Sequence, residues 1–173
     1  GYNGTLRTST DAATWTTQTS NFSTLQNIRG IAYANGTWVA VGDAGQMRTS
    51  TNGSTWTTQT SNFGASTIWS IAYGNGTWVA GGDLGEMRTS TNNGVTWVTK
   101  YSNFGNNNIR SIAYGGGGWV AVGYFGNMRY STDSITWNTI TSTFGVTAWS
   151  VAYGNGLWAA GGSIGKINNS SNS

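Results

Sequence analysis

Ile31 to Ser70 reads IAYANGTWVAVGDAGQMRTSTNGSTWTTQTSNFGASTIWS, and the phrase returns as Ile71 to Ser111, again as Ile112 to Ser150, and starts a fourth time at Val151. A period of about 40 residues marks a propeller, solenoid or array, in which each unit buries its core against the next unit. Function is then to be sought where the repeats differ. Within one repeat the spacing predicts four short strands. The first two, Ile28 to Ala34 and Thr37 to Gly42, flank Asn35-Gly36, the pair that best accepts the positive φ angles of a type I′ hairpin turn. Asn75-Gly76, Gly116-Gly117 and Asn155-Gly156 recur at the same place.

Such a turn sets Tyr33 opposite Trp38 and Ile31 opposite Ala40 on one face, with Ala32 opposite Val39 on the other. Both faces are apolar, so the sheet must be covered on both sides, as a blade wedged between neighbouring blades is. A third strand is expected at Gln46 to Ser50 after the turn Asp43-Ala44-Gly45, and a fourth at Thr55 to Ser61. The fold class expected is an all-β propeller of four-stranded antiparallel blades in one domain spanning residues 1–173. Repeats start near 1, 42, 82 and 123, and a partial unit covers 162–173.

Composition excludes several functions. Charged residues make up 8% of the chain, far below the roughly 25% usual in globular proteins. The net charge of +3 is not concentrated: Arg7, Arg48, Arg88 and Arg129 fall one per repeat, so no nucleic-acid footprint forms, and these arginines are expected in solvent or on nearby backbone carbonyls. Cysteine and histidine are absent, which removes disulfides, thiolate chemistry, the commonest general base and the common zinc ligands. No metal, cofactor or membrane insertion is expected, since apolar runs such as TWVAVG are strand-sized. The five acidic residues include no obvious acid/base pair, so the protein is expected not to be an enzyme.

Ser90-Thr91-Asn92-Asn93-Gly94-Val95-Thr96-Trp97 resembles the Asp-box, S-x-D-x-G-x-T-W, of sialidase-type propellers and their relatives. The copies Ser9 to Trp15, Ser50 to Trp56 and Ser131 to Trp137 are one residue shorter, and the acidic position holds Asp11, Asn52, Asn92 and Asp133 in turn. The resemblance implies a β-propeller in which Ser9, Ser50, Ser90 and Ser131 close the turn with those acidic or amide side chains. It also implies that Trp15, Trp56, Trp97 and Trp137 pack between blades. Trp38, Trp78, Trp119 and Trp158 are likewise read as core. The arginine triad, nucleophilic tyrosine and acid aspartate of sialidases cannot be placed on this chain. The repeat style is similar to arrays of bacterial surface and phage tail-associated proteins, which implies an extracellular, cell-surface or virion location; the chain itself shows no signal segment.

Gly1-Tyr2-Asn3-Gly4 aligns with Gly42 to Gly45, so the chain starts at the third strand of a blade. Ala148 to Gly161 would join Thr5 to Ser20 to complete a blade from both termini, leaving Lys166 to Ser173 surplus. The alternatives are blades shared between two chains, in a ring of about eight, and a piece of a longer array.

A second, doubled period runs through the differences. The position before each inner strand reads Arg29, Trp69, Arg110, Trp149, while the position before the second strand's last glycine reads Val41, Gly81, Val122, Gly161. One reading is packing, an aromatic laid over a cross-strand glycine. The other is a binding face at the channel mouth that gathers Arg29, Trp69, Arg110 and Trp149 with Asp43, Asp83 and Tyr124, and with Phe22, Phe63, Phe104 and Phe144 nearby. Aromatic planes beside planar hydrogen-bonding groups suit neutral sugars. The expected function is therefore non-enzymatic recognition of a glycan or surface polysaccharide. The alternatives are a structural or self-assembling repeat module, whose partners are further copies or adjoining repeats, and a fragment of a glycoside hydrolase.

Overall fold

The computed structural model describes residues 1–171. Its strands are β1 (Leu6–Thr8), β2 (Thr16–Gln18), β3 (Ile28–Ala34), β4 (Thr37–Gly42), β5 (Met47–Ser50), β6 (Thr57–Gln59), β7 (Ile68–Gly74), β8 (Thr77–Gly82) and β9 (Met87–Ser90). They continue as β10 (Val98–Lys100), β11 (Ile109–Gly115), β12 (Gly118–Gly123), β13 (Met128–Ser131), β14 (Asn138–Thr139), β15 (Ala148–Gly154), β16 (Leu157–Gly162) and β17 (Ile167–Ser171). Three antiparallel four-stranded sheets follow chain order, β3 to β6, β7 to β10 and β11 to β14, flanked by the pair β1–β2 and the triple β15–β16–β17. These are the meandering blades of a propeller, with β3, β7, β11 and β15 stacked side by side as inner strands.

The inner hairpins have the expected register, with Tyr33 opposite Trp38, Ile31 opposite Ala40 and Ala32 opposite Val39. Asn35 and Gly36 carry φ of 48° and 72°, as the turn requires. One irregularity recurs in each inner strand. Between Ile28 and Gly30, Ile68 and Ser70, Ile109 and Ser111, and Ala148 and Ser150 the pairing slips by one residue. The unpaired residues are Arg29, Trp69, Arg110 and Trp149, and a bulge of this kind re-aims its side chain. The fourth strands are shorter than expected, Thr57–Gln59 in place of Thr55 to Ser61, because Thr55 is held by the preceding turn through its bond to Asn52 Oδ1.

That turn closes as its residues imply. Ser50 Oγ donates to Asn52 Oδ1, which also accepts the amides of Ser54 and Thr55, and Trp56 Nε1 donates to the Gly53 carbonyl. Asp133 is placed likewise, accepting from Ser131 Oγ and from the amides of Ile135 and Thr136. Trp97 then packs among Val39, Val41 and Met47 of the preceding blade, and Trp137 among Val79 and Met87. Trp15 departs from the expected core set: it is 55% exposed, against 3% for Trp56 and Trp97, because no preceding blade is present to receive it.

Blades interlock by knobs and sockets. A Cβ on Gly74 would lie 2.0 Å from the Tyr114 ring, and one on Gly115 would lie 2.3 Å from Tyr153, so each tyrosine fills a groove that glycine leaves on the blade before it. The nearest atoms to the missing Cβ of Gly81 belong to Ile109 and Ile112 of the next blade, and Gly161 has no described atom within 4 Å. The expected packing of Trp69 and Trp149 over these glycines is therefore not what the space is used for. The ends also differ from the expected clasp. β17 pairs with β16 and takes the third-strand place, while β1 pairs with β2 alone, so among the described residues no blade is completed from both termini. Of the surplus expected at Lys166 to Ser173, residues 167–171 form this strand, and Asn172 and Ser173 lie outside the described residues.

Candidate functional site

The four bulge residues line up on one side of the propeller. Each reaches fourteen residues along the chain to the first residue of its own blade's turn between second and third strands. Arg29 Nε donates to Asp43 Oδ1 at 2.7 Å, Trp69 Nε1 to Asp83 Oδ1 at 2.6 Å, Arg110 Nη2 to the Tyr124 hydroxyl, and Trp149 Nε1 to Ser163 Oγ at 3.0 Å. The alternation of Arg and Trp becomes a stack. The Arg29 guanidinium lies 4.7 Å from the Trp69 ring centre, and the Arg110 guanidinium lies 3.7 Å from Trp69 on one side and 5.1 Å from Trp149 on the other. Cation–π contacts of this kind join adjacent blades across the mouth.

Arg29, Trp69, Arg110, Trp149, Asp43, Asp83 and Tyr124 are thus brought together, as expected. Most of their polar groups are engaged with one another or with neighbouring backbone and amides, while the buried Arg110 Nε has no hydrogen-bond partner among the described residues. Asp43 also accepts from the amide and side chain of Asn27; burial alone would raise its carboxyl, but the bonds from Arg29 and Asn27 outweigh it and hold it below the ordinary carboxylate range. Asp83 accepts from Trp69, Asn108 and the Thr67 amide. Arg110 has no carboxylate partner among the described residues, and the outer face of Trp149 remains half exposed. Phe22, Phe63, Phe104 and Phe144 are buried and do not line the mouth. The first three lie beneath Arg48, Arg88 and Arg129, whose guanidiniums bond the carbonyls of Asn21, Asn62 and Asn103.

One element of this face has no sequence forecast. Ala44, Leu84, Phe125 and Ile164 stand at the tips of the turns that begin with Asp43, Asp83, Tyr124 and Ser163, and each has a left-handed backbone with φ between 51° and 56°. Leu84, Phe125 and Ile164 are 60%, 75% and 88% exposed. Large apolar residues are unfavourable in this conformation and are costly in water without a partner, so their presence at a tip calls for a reason. The available signal was variation: Asn3, Ala44, Leu84, Phe125 and Ile164 occupy one position of otherwise closely similar repeats.

The acidic residues serve the frame. Asp11 and Asp133 are drawn down to about 2 by the amides and serine hydroxyl of their turns, Asp43 and Asp83 hold the stack, and Glu86 lies 3.4 Å from Arg88. Among the described residues no cluster suited to a metal ion forms, and no helix is long and apolar enough to cross a membrane.

No family model matches the chain, and no curated protein matches it in sequence. Solved structures resemble it in fold. The computationally designed Ika4 protein superposes with a TM-score of 0.69 at 11% identity, over 88% of this chain and 95% of Ika4. YCF48 bound to D1 peptide gives 0.73 at 18% identity, over 98% of this chain and 58% of YCF48. The WD40 beta propeller domain of Doa1 gives 0.64 at 11% identity, over 85% of this chain and 52% of that one. The chain is a β-propeller, and it spans a little over half the length of the two natural relatives in fold.

Proposed function

We infer that the protein is a non-enzymatic binding module whose mouth face takes an extended polypeptide segment carrying apolar side chains. The observation that carries this reading is the set of exposed apolar tips, Leu84, Phe125 and Ile164, held in left-handed backbone around the Arg–Trp stack. Such side chains supply contact area of the kind that anchors protein interfaces, and Arg110, without a carboxylate partner among the described residues, offers a cation to an acidic group of the ligand. The resemblance in fold to YCF48, whose structure contains a bound peptide, is consistent with this use of a propeller. A peptide-display selection against the immobilised chain, followed by calorimetry on the winners, tests it. Phe125→Ser should weaken binding about tenfold, or about 1.4 kcal/mol, without changing the circular dichroism spectrum; selection that yields no binder, or binders indifferent to Phe125→Ser, would sink the reading.

A glycan at a cell or particle surface is the second reading, favoured by the half-exposed Trp149 ring beside the Tyr124 and Ser163 hydroxyls. Stacking on one free indole face with neighbouring hydroxyls suits a neutral sugar, and its affinity would vary little with salt, unlike phosphate binding. A glycan array with Trp149→Ala as control separates this reading from the first.

A further inference from the structure

The interface between the blades of β7 to β10 and β11 to β14 is built to a plan of four contacts, the first two of which recur between β3 to β6 and β7 to β10. A tryptophan of the turn between third and fourth strands enters the preceding blade, as Trp97 does beside Val39 and Met47 and Trp137 beside Val79 and Met87. A cation of the third strand reaches back to a loop carbonyl of that blade, as Arg88 does to Asn62 and Arg129 to Asn103. A tyrosine of the inner strand fills the groove over the preceding blade's glycine, as Tyr114 does over Gly74. Isoleucines fill the space over a second-strand glycine, as Ile109 and Ile112 do over Gly81.

Each half of this plan is left open at one end of the chain. At the first end Trp15 is exposed, Arg7 is exposed, and Ile31 and Tyr33 are half exposed where Ile71 and Ile112 are buried. At the other end a cavity of ≈ 400 Å³ is lined by Val120, Met128, Ile140, Val151 and Trp158. Val120 and Met128 are the counterparts of Val39 and Met47, and Trp158 of β16 borders them, but no described tryptophan from a turn between third and fourth strands enters there as Trp97 and Trp137 do. Gly154 and Gly161 meet no described atom within 4 Å, and Ala152 and Ala159 are exposed. The Thr143 carbonyl is taken by Lys166 at 2.6 Å, in place of an arginine, because the third-strand position that holds Arg48, Arg88 and Arg129 holds Asn168 in β17.

We propose that the missing neighbour is a second copy of this chain, whose β1–β2 pair completes the blade begun by β15 and β16. The two ends are the complementary halves of an interface the chain already makes internally, and within one chain they do not meet. Leu6, Arg7 and Thr8 of the second copy displace β17 from the edge of β16, standing opposite Gly161, Ala160 and Ala159 as Met47, Arg48 and Thr49 stand opposite Val41, Ala40 and Val39. Trp15 enters the cavity between Val120 and Met128. Arg7 replaces Lys166 at the Thr143 carbonyl, and Tyr33 and Ile31 cover Gly154 and Gly161. Two such heterologous contacts close a ring, and two copies with four inner hairpins each give it eight blades.

The test is a pair of cysteines in a chain that has none, Thr8→Cys with Ala159→Cys, oxidised mildly and run on a denaturing gel. A covalent dimer is expected, together with sedimentation of the unmodified chain at twice 18.2 kDa. Trp15→Ala, at a side chain exposed in the single chain and so harmless to its fold, should weaken association at least tenfold with an unchanged circular dichroism spectrum. An internally cross-linked monomer would show that the chain closes on itself and would overturn the proposal. So would an uncross-linked pair, a wild-type monomer at all concentrations, or a Trp15→Ala chain that associates like the parent.

Discussion

Asp133 and Asn52 do the same work with different chemistry. Each accepts a serine hydroxyl and two backbone amides in its turn, but only the carboxylate titrates. The folded pKa of Asp11 and of Asp133 lies at about 2, below the ordinary 3.8, so the stability each adds is fully present above about pH 3.8 and is lost as pH falls toward 2. Asp11→Asn with Asp133→Asn should therefore leave thermal stability near neutral pH close to the parent's and blunt its fall between pH 4 and pH 2. Melting curves across that range check it; an unchanged acid profile would mean that the turns contribute nothing to acid sensitivity. At this scale the turn bonds were legible, since a serine, an acid or amide two positions on, and a tryptophan specify a local structure. The exposure of Trp15 was not, because a tryptophan's environment is set by the adjacent blade and not by its own turn.

Among the elements, the inner hairpins could be read to the residue, because Asn-Gly admits a single favoured turn and the alternation of apolar residues fixes which side chains face each other. The bulges and the tips could not. A slip of one residue leaves no compositional mark, and Leu84, Phe125 and Ile164 lack the turn chemistry that would announce positive φ. The doubled period picks out side chains that the structure places side by side, Arg29, Trp69, Arg110 and Trp149, whereas the phenylalanines expected near them belong to the core because the third-strand arginines and Lys166 cover their rings. If the tips are retained for a ligand, relief of their backbone should separate stability from binding. Phe125→Gly removes the left-handed penalty of about 1–2 kcal/mol while loosening the unfolded chain by about 0.5–1 kcal/mol. A net gain of about 0.5–1 kcal/mol in denaturant titration is expected, together with loss of the selected peptide; a loss of stability would show that the phenyl ring packs on the frame.

For the molecule as a whole, the period announced the propeller, whereas the half-blade register predicts a clasp of the two termini whose third-strand place β17 takes instead. Closure depends on which strand wins the edge of β16, a competition between two segments far apart in the chain that no local pattern decides. The knob-and-socket joints carry one more consequence. Since each blade is held mainly by its two neighbours, unfolding should run as a nearest-neighbour process, with free energy graded along the array instead of shared equally. In the single chain the blades of β7 to β10 and β11 to β14 are flanked on both sides, while β15 to β17 have a neighbour on one side only. Amide hydrogen exchange should thus be slowest in β8 and β12 and fastest in β16, β17 and the β1–β2 pair. The erosion would travel inward from the ends, so that dilution of the protein, by freeing those ends, would speed exchange at the termini long before it touched the middle.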